Sequence, residues 1–520
     1  MGKFNSKVVS KNETKNLAGG SAYKLTTKSE IASMIMTSLL QNQYYESDSS
    51  RIERLKELFD KLEDKQFIAK AALYARNEHG LRSISHLCTG IISQLSGLPW
   101  LSSYYEKIVR RVDDMNEIIS YIYSEQDKDN KKHKLPSSLK KGFALAFNKF
   151  DGYQLAKYKN ENKEVKLLDI VNLVHPKPTE KNKDALSKLM KQELKQTETW
   201  NAKLVEATKD IKAETKEEKE QLKKEAKKNV WKEFLDKDTK VEYFALLKNL
   251  RNIEQTGDLT LVDKACELLT DEYKIKQSKV LPFRYLQAIK QIDYNRAYVI
   301  ALSKALETCL NNVPKFKGKT LIALDVSGSM RNAVSYLSNE RSNKYTNHQS
   351  ITMLEIGQLF ASAIYKTSDS DIITYTTEAN YVQDVNPLDS LFTISSKLGV
   401  ANGGTNANSV FELITIMKKK YDRIILLSDM QSWEQDYGSN YYWGQEGPKG
   451  LCKDFWNKYR REVNPECKLY SFDLTGNGTS LFPEKSTFNL AGISDKIFDI
   501  MVKLDENQNA FIDEIECVQI

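Results

Sequence analysis

Apolar residues recur at three- and four-residue spacing through the first part of the chain. Ile31, Met34, Ile35 and Leu39 are one such set, and the segment 68–75 repeats the pattern. This is the period of one face of an α-helix, and strand-like alternation is nearly absent up to about residue 312. The pattern predicts a row of helix pairs of the HEAT-like kind, which curves into a superhelix with a concave surface.

After Lys319 the pattern changes to short apolar runs separated by helical stretches. The strand-like runs cover residues 321–324, 372–375, 424–427 and 469–472, and the helical stretches between them include 352–365 and 410–418. Strands that alternate with helices are typical of a doubly wound parallel sheet. We therefore expect a multidomain chain, with an all-α helical-repeat domain at 1–314 and an α/β domain at 315–520.

Residues 180–240 interrupt the helical domain, because they are crowded with Lys and Glu and poor in large apolar residues. Asp184 and Glu220 each precede a lysine by four residues, a spacing that stabilises solvated helices. The segment is predicted to be a charged helical insert, exposed between two core helices. The alternative is an arm that touches RNA, which the small net charge of the segment disfavours.

Composition narrows the class of protein. The apolar content of 40% is ordinary for a packed globular chain, and no window of about 18 apolar residues suggests a membrane span. The chain begins with a polar segment that does not have the pattern of a secretory signal. The six cysteines are scattered without CxxC spacing. We therefore expect reduced thiols and a cytoplasmic protein that does not contact a membrane.

The net charge of +7 is unevenly distributed. From Lys315 onward, 21 Lys and Arg residues face 26 Asp and Glu residues, which leaves 56 against 44 in residues 1–314. The basic half is a candidate for binding a polyanion, most simply a nucleic acid. Charge alone leaves open the alternative that the excess of lysine serves solubility.

The apolar segment 320–324 runs directly into a turn that carries oxygen ligands. Asp325 ends this predicted strand, and Ser327 and Ser329 alternate with it around a glycine that allows a sharp turn. The ends of strands in open α/β sheets are where such folds place their ligand sites. One carboxylate and two hydroxyls are therefore expected to point into one small volume.

Two later segments belong to the same predicted site. The glycine-rich loop 402–406 presents Thr405, and the apolar run 424–427 leads to Asp429. Parallel strands that lie close in a sheet bring their carboxyl ends together. The predicted ligand shell consists of Asp325, Ser327, Ser329, Thr405 and Asp429. Hard oxygen donors without sulfur or imidazole suit a divalent metal, Mg²⁺ before Mn²⁺.

This ordered set resembles the von Willebrand factor A domain and its metal-ion-dependent adhesion site (MIDAS). The resemblance implies that the metal completes its shell with an acidic residue of a protein partner; a retained fold with a degenerate site is the alternative. An enzyme centre would need a second metal, a nucleophile or a positioned base. Only His348 lies near these motifs, as an expected surface residue, and no Walker A sequence is present. We expect no catalytic residue, with a metal-dependent nuclease as a remote alternative.

Three stretches of the helical half combine basic, polar and aromatic residues, at 76–86, 131–159 and 174–178. In the second, Pro136 suits the first turn of a helix whose free amides would favour a phosphate. Lys149, Tyr153 and Lys157 share one helical face, on which the tyrosine could stack an unpaired base. The alternative is a solvated helix face with lysines that extend into water.

A series of short motifs in this half resembles the TROVE module. They lie at 16–20 (NLAGG), 81–86 (LRSISH), 135–136 (LP), 175–176 (HP), 246–252 (LLKNLRN) and 281–285 (LPFRY). A TROVE module followed by a von Willebrand factor A domain is the arrangement of the Ro 60 kDa autoantigen family. By this resemblance the chain looks like a bacterial or phage member, with a TROVE domain at 1–314 and a von Willebrand factor A domain at 315–520.

The resemblance implies a ring of helical repeats that is closed by the A domain. Such proteins bind Y RNA on the outer basic surface and the 3′ ends of misfolded small RNAs through the central hole. Bacterial members also tether an exoribonuclease through the Y RNA. The RNA surface is placed at Arg82, His86, Lys140, Lys141, Lys149 and Lys157. We expect a non-catalytic RNA-binding protein of RNA quality control or decay; the alternative is a Mg²⁺-dependent protein-adhesion scaffold without an RNA role.

Overall fold

A computed structural model describes residues 12–38, 47–159, 163–195, 200–209, 211, 214–236, 242–278, 280–292, 295–310, 313, 315–331, 333–335, 351–433, 450–483, 487–494, 496–504 and 509–520. The chain divides into two compact units, which are described separately. One unit, here called the sheet unit, comprises residues 1–63 and 275–514; the other, the helical unit, comprises 64–274 and 515–520. The domain boundary expected at residues 314 and 315 stays a prediction.

The helices are numbered in chain order. They are α1 Thr27–Thr37, α2 Asp48–Lys61, α3 Lys65–Asn77, α4 Arg82–Ile92, α5 Leu101–Ile108, α6 Val112–Lys128, α7 Ser137–Ala146, α8 Gly152–Lys157, α9 Leu167–Val174, α10 Lys183–Met190, α11 Trp200–Lys209, α12 Lys216–Leu235, α13 Tyr243–Glu254, α14 Leu259–Leu269, α15 Glu272–Ser278, α16 Phe283–Ile289, α17 Arg296–Cys309, α18 Met353–Thr367, α19 Leu391–Lys397, α20 Asn408–Ile416, α21 Cys452–Glu462, α22 Ile497–Leu504 and α23 Ala510–Glu516.

The helical unit is built from α3 to α14, as the three- and four-residue apolar spacing predicted. In α3 the apolar positions Phe67, Ile68, Ala71, Ala72 and Ala75 are all buried. Neighbouring helices pack in pairs, among them α3 with α4, α5 with α7, and α13 with α14. The helix-rich part of the fold prediction is confirmed, and the closure of these helices into a ring stays a prediction.

The contact between α5 and α7 depends on a glycine. A Cβ atom at Gly142 would lie 2.5 Å from the Cβ of Tyr105 and 2.6 Å from the carbonyl oxygen of Ser102. The two helix backbones therefore approach too closely for any side chain at this position. Tyr105 and Phe143 meet edge to face beside it, with ring centroids 6.4 Å apart.

The segment 180–240 contains α10, α11 and α12. The first half of α12 is exposed, whereas Val230, Trp231 and Phe234 near its end are buried. Helices α11 and α12 pack on each other, and α12 also contacts α14. The described part of the segment is thus a charged helical pair whose apolar end is anchored in the unit.

The strands are β1 Glu13–Lys15, β2 Ser21–Lys24, β3 Thr320–Asp325, β4 Ala333–Ser335, β5 Ile351–Thr352, β6 Ser370–Tyr375, β7 Ala379–Tyr381, β8 Arg423–Ser428, β9 Lys468–Asp473, β10 Thr479–Ser480 and β11 Phe488–Ala491. Six of them form the central sheet in the order β11-β9-β8-β3-β6-β7, in which β7 alone is antiparallel to its neighbour. All four predicted strands lie within β3, β6, β8 and β9. The doubly wound α/β part of the fold prediction is confirmed.

Burial explains why β3 and β8 occupy the centre of the sheet. Every residue of both strands is buried, as expected for continuous apolar runs that are covered on both faces. Leu324 pairs with Leu427 in parallel register. The carboxyl ends of the two strands therefore lie side by side.

The start of the chain packs within the same sheet unit. Strand β2 pairs with both β1 and β10, and α1 packs against β11. Within the described residues, no helix combines the length and apolar character that a membrane span requires. All six cysteines are free thiols, as the scattered spacing predicted.

Candidate metal centre and basic surface

The five predicted metal ligands lie at one edge of the central sheet. Asp325, Ser327, Thr405 and Asp429 are at most 2% exposed, and Ser329 is 6% exposed. The backbone N–H of Ser327 donates to Asp325 Oδ1 at 2.9 Å, and the hydroxyls of Ser327 and Ser329 are 3.2 Å apart. The turn after β3 is therefore folded so that its oxygen atoms converge.

Two further contacts bring the other strand end and the glycine-rich loop to this turn. Ser329 hydrogen-bonds Asp429, which follows β8. The N–H of Gly328 donates to the carbonyl of Gly403 at 3.0 Å, in the loop that precedes Thr405. The structure thus gathers the predicted residues in one buried cluster, as strand adjacency suggested. Metal binding by this cluster stays a prediction.

Burial perturbs both carboxylates of the cluster. Burial raises the pKa of Asp325, although hydrogen bonds from Ser428 and Ser327 lower it. Burial, together with the charge of Asp325, raises the pKa of Asp429 to about 7. Two buried carboxylates that face each other are costly unless they are neutralised. A divalent cation among these oxygens would supply that neutralisation.

Ser428 is a supporting residue outside the predicted ligand set. It is the last residue of β8, and its hydroxyl donates to Asp325 Oδ2 at 2.7 Å. The same hydroxyl accepts from the N–H of Met430 at 3.0 Å. Ser428 therefore fixes the rotamer of Asp325 and the backbone around Asp429 together. Its position directly before Asp429, the predicted ligand that follows β8, is the signal that the sequence offers.

A buried acidic turn after β9 supports the backbone of Asp429. Asp473 accepts hydrogen bonds from the N–H groups of Thr475 and Gly476 at 2.8 Å each, and from the Ser33 hydroxyl at 3.1 Å. The Thr475 hydroxyl then lies 3.2 Å from the carbonyl oxygen of Asp429, to which it donates. Asp473 is thus a positioning residue, whose role depends on a turn that local sequence patterns do not reveal.

The segment 16–20, here called the N-terminal tongue, lies against the loop that follows Asp429. Asn16 Nδ2 donates to the carbonyl of Ser432 at 2.7 Å, while Asn16 Oδ1 accepts from the N–H of Gly20 at 2.8 Å. The Ser432 hydroxyl in turn donates to the carbonyl of Thr405 at 3.2 Å and accepts from the N–H of Ala407 at 3.0 Å. The tongue is therefore hydrogen-bonded to Ser432, which in turn is hydrogen-bonded to the loop that contains Thr405.

The predicted RNA residues Arg82 and His86 have a different environment from the one expected. His86 is 5% exposed, and its Nε2 lies 3.0 Å from Asp114 Oδ1. Arg82 Nε donates to the same oxygen at 2.8 Å, and Arg76 donates to Asp114 Oδ2 at 3.1 Å. The placement of His86 on an outer surface is thereby corrected, because all three side chains turn inward to the buried carboxylate of Asp114 on α6.

Lys149 and Lys157 are also engaged within the helical unit. Lys149 Nζ donates to the carbonyl of Val109 at 3.2 Å and to that of Glu106, where a lysine complements the carboxyl end of α5. Lys157 forms an ion pair with Glu242, and its ammonium group lies 5.4 Å from the centre of the Tyr158 ring. Both lysines thus have local partners before any RNA is considered.

Comparison with known proteins identifies the family. The TROVE domain model matches two overlapping stretches, residues 21–224 and 205–364, which together cover more than half of the chain. The chain belongs to the TROVE domain family. The second stretch includes β3 and the turn with Ser327 and Ser329. TROVE and Ro proteins are RNA-binding proteins.

Solved structures and curated proteins extend this result. The fold is similar to that in the crystal structure of the Ro (Rsr) protein of Deinococcus radiodurans, with a TM-score of 0.56 and 16% identity. That comparison covers 94% of this chain and 100% of the other, and it concerns the fold alone. A 95-residue segment is 36% identical to telomerase protein component 1 of Rattus norvegicus and of Mus musculus. This segment is 18% of the present chain and only 4% of the length of those relatives.

In this TROVE-family chain, Lys140 and Lys141 remain available at the start of α7. Lys141 is exposed and Lys140 half-buried, and within the described residues neither forms an ion pair. Pro136 precedes the helix and supplies no side-chain cap to its first N–H groups. Lys149 is exposed as well, but its ammonium group already donates to two backbone carbonyls. The RNA role of all six predicted residues stays a prediction. His348 and most of the loop 331–350 lie outside the described residues.

Proposed function

We propose that this chain is a non-catalytic RNA-binding protein. The observation that carries the proposal is the pair Lys140 and Lys141 at the uncapped start of α7, in a chain of the TROVE family. Lys132 and Lys134 are exposed just before the same helix. Free N–H groups and lysines at a helix start favour phosphate groups.

The proposed ligands are Y RNA and misfolded small RNAs with single-stranded 3′ ends, bound in the cytoplasm for RNA quality control or decay. An exoribonuclease would join the complex through the RNA. Lysine contacts to phosphate provide affinity without reading the base sequence. A protein that must accept many defective RNAs needs this kind of contact.

Filter binding of a labelled single-stranded RNA at several salt concentrations tests the proposal. Each phosphate contact to a single strand contributes a slope of about −0.7 in log K against log salt, so four open lysines predict roughly −3. Lys140→Ala with Lys141→Ala should weaken binding and reduce that slope by about 1.4. A flat salt response of the wild-type protein would contradict RNA binding of this type.

A matched control is available on α10. Lys183 and Lys188 are exposed and already paired with Glu180 and Asp184. Lys183→Ala with Lys188→Ala removes the same two charges but no open cation. If both double variants weaken RNA binding equally, net charge rather than the α7 surface determines affinity. Recovery of intact labelled RNA after incubation with Mg²⁺ tests the absence of nuclease activity.

The buried carboxylate pair supports a second role beside RNA binding. Asp325, Ser327, Ser329, Thr405 and Asp429 would hold Mg²⁺, and an acidic side chain of a protein partner would complete its shell. Such a site could also serve a protein-adhesion scaffold alone, which is the competing function. Isolation of an EDTA-sensitive protein complex without nucleic acid would favour the scaffold.

Calorimetric titration with Mg²⁺ and Mn²⁺ tests the site itself. Ser329→Ala removes one predicted ligand with little change in volume, whereas Ser33→Ala removes a hydroxyl that contacts Asp473 and no predicted ligand. We expect Ser329→Ala to weaken metal binding by at least ten-fold and Ser33→Ala to have a smaller effect. Equal titration curves for wild type and Ser329→Ala would remove this serine from the site.

A further inference from the structure

A flat pair of stacked rings is formed by Tyr123 and by His133, which precedes α7 in the chain. The His133 imidazole stacks on the Tyr123 ring with centroids 4.1 Å apart and planes only 2° from parallel. Tyr123 belongs to α6, and His133 lies in the connection from α6 to α7. The His133 side chain is 43% exposed, about what one covered face and one open face would give.

The imidazole is held in place before any ligand arrives. Its Nε2 lies 2.8 Å from Asp127 Oδ1. The next residue is clamped to α6, because Gln126 Nε2 donates to the carbonyl of Lys134 at 2.7 Å and Gln126 Oε1 accepts the Lys134 N–H at 2.9 Å. A ring that is already oriented loses little entropy on binding, so more of the contact free energy remains as affinity.

The charges around the ring favour a polyanion. Lys132 and Lys134 are exposed on either side of His133. Helix α7 begins at Ser137, with Lys140 and Lys141 in its first turns. The nearby acidic groups are engaged: Asp127 faces His133, and Asp129 lies 2.6 Å from the Lys131 ammonium group. Phosphates can therefore approach from the lysines while a base reaches the ring.

We propose that the His133–Tyr123 pair is a stacking platform for one unpaired nucleobase of RNA. This inference rests on the proposed RNA-binding function and deepens it, since it adds a base contact to the phosphate contacts of the segment 132–141. Every nucleobase has a π-face, so stacking on this platform tolerates any sequence. A base inside a duplex is covered by its neighbours and cannot use it.

The test compares two substitutions of His133 with two forms of RNA. His133→Ala removes the open ring, and His133→Phe keeps a flat ring without the nitrogen atoms. Affinity for a 12-nucleotide single strand and for a duplex of the same length is measured by fluorescence anisotropy at fixed salt. We expect His133→Ala to weaken single-strand binding by on the order of ten-fold, to leave duplex binding unchanged and to keep the salt slope. His133→Phe should restore single-strand affinity.

A single 2-aminopurine in the strand gives a second readout. Its fluorescence should be quenched when wild type or His133→Phe binds, and much less with His133→Ala. Equal loss of single-strand and duplex affinity, or unchanged quenching with His133→Ala, would overturn the platform while RNA binding stands. Wild-type protein that binds neither RNA would instead refute the proposed function, and the platform with it. His133 is exposed, so its substitution should leave the fold intact, which circular dichroism verifies.

Discussion

Replacement of Gly20 by alanine tests whether the N-terminal tongue supports the predicted metal centre. Gly20 is buried, and a Cβ atom at this position would lie 2.0 Å from the carbonyl oxygen of Ser432 and 2.7 Å from the Cα of Trp433. Both obstacles are backbone atoms, so no side-chain rotation can relieve the overlap. The tongue must move away from the loop that holds Thr405.

The magnitude follows from what that movement breaks. The carbonyl of Ser432 loses its 2.7 Å hydrogen bond from Asn16, and a buried polar group without a partner costs about 1–3 kcal/mol. Insertion of a methyl group where there is no space adds about 1–3 kcal/mol. We expect a loss of roughly 2–6 kcal/mol in the free energy of unfolding of the sheet unit. Because whole domains are stable by only about 5–15 kcal/mol, this loss is large.

The adjacent glycine provides the control. Gly19 has φ +87°, and a Cβ atom there would meet nothing within 4 Å. Gly19→Ala therefore tests backbone strain without a clash, at a cost of about 1 kcal/mol. Thermal unfolding and Mn²⁺ titration of both variants, in the full chain, separate the two effects. We expect Gly20→Ala to weaken metal binding and Gly19→Ala to leave it close to wild type.

Two outcomes would refute the reasoning. If Gly20→Ala unfolds at the same temperature as Gly19→Ala, the tongue is not packed against Ser432 as described. If Gly20→Ala is destabilised but binds Mn²⁺ with wild-type affinity, the tongue anchors the chain and does not support Thr405. The second outcome would leave the metal proposal intact and remove only the coupling.

Two other perturbations test the buried charges. Metal binding requires ionised carboxylates, and burial together with the charge of Asp325 raises the pKa of Asp429 to about 7. Mg²⁺ affinity should therefore rise between pH 6 and pH 8 and then level off. Calorimetry that finds constant affinity across this range would contradict the prediction. Burial alone would raise the pKa of Asp114, but the hydrogen bond from His86 and the charge of Arg76 hold this pKa well below its ordinary value. The contribution of Asp114 to stability is therefore fully present above the unfolded-state pKa and should persist to strongly acidic pH. Asp114→Ala should destabilise the helical unit by about 3–5 kcal/mol, since it leaves the buried Arg76 side chain without its carboxylate partner. A loss below about 1 kcal/mol in denaturant unfolding would show that Asp114 does not stabilise the unit in this way.

The sequence predicts those helices and strands in which the apolar residues of the local pattern are also the residues buried in the structure. The run 321–324 is apolar at every position, as expected of a strand covered on both faces, and it lies within β3. The same reasoning places Asp325 and Asp429 together, because both lie at the carboxyl ends of central parallel strands. Apolar spacing likewise predicts α3 and α18, in which most residues are buried.

Contacts between distant segments could not be predicted in this way. Asn16 and Ser432 are 416 residues apart, and nothing in the local pattern of either segment indicates the other. Arg82 and His86 have the i, i+4 spacing of a shared helical face, which the sequence shows correctly. Whether that face meets solvent or a carboxylate depends on Asp114, 28 residues beyond His86. A helical pattern shows which side chains share a face of the helix, but it does not show which residues of other helices that face contacts.

Net charge alone does not show how many lysines are available to bind phosphate, because some of them already pair with a carboxylate. Many lysines of the basic half already face a carboxylate, such as Lys188 beside Asp184 and Lys264 beside Asp236. Their charge contributes to the total, but a phosphate must compete with a local partner to use it. The four lysines between residues 132 and 141 form no described ion pair. RNA affinity should therefore follow this short segment around α7 more closely than the summed charge of the helical half.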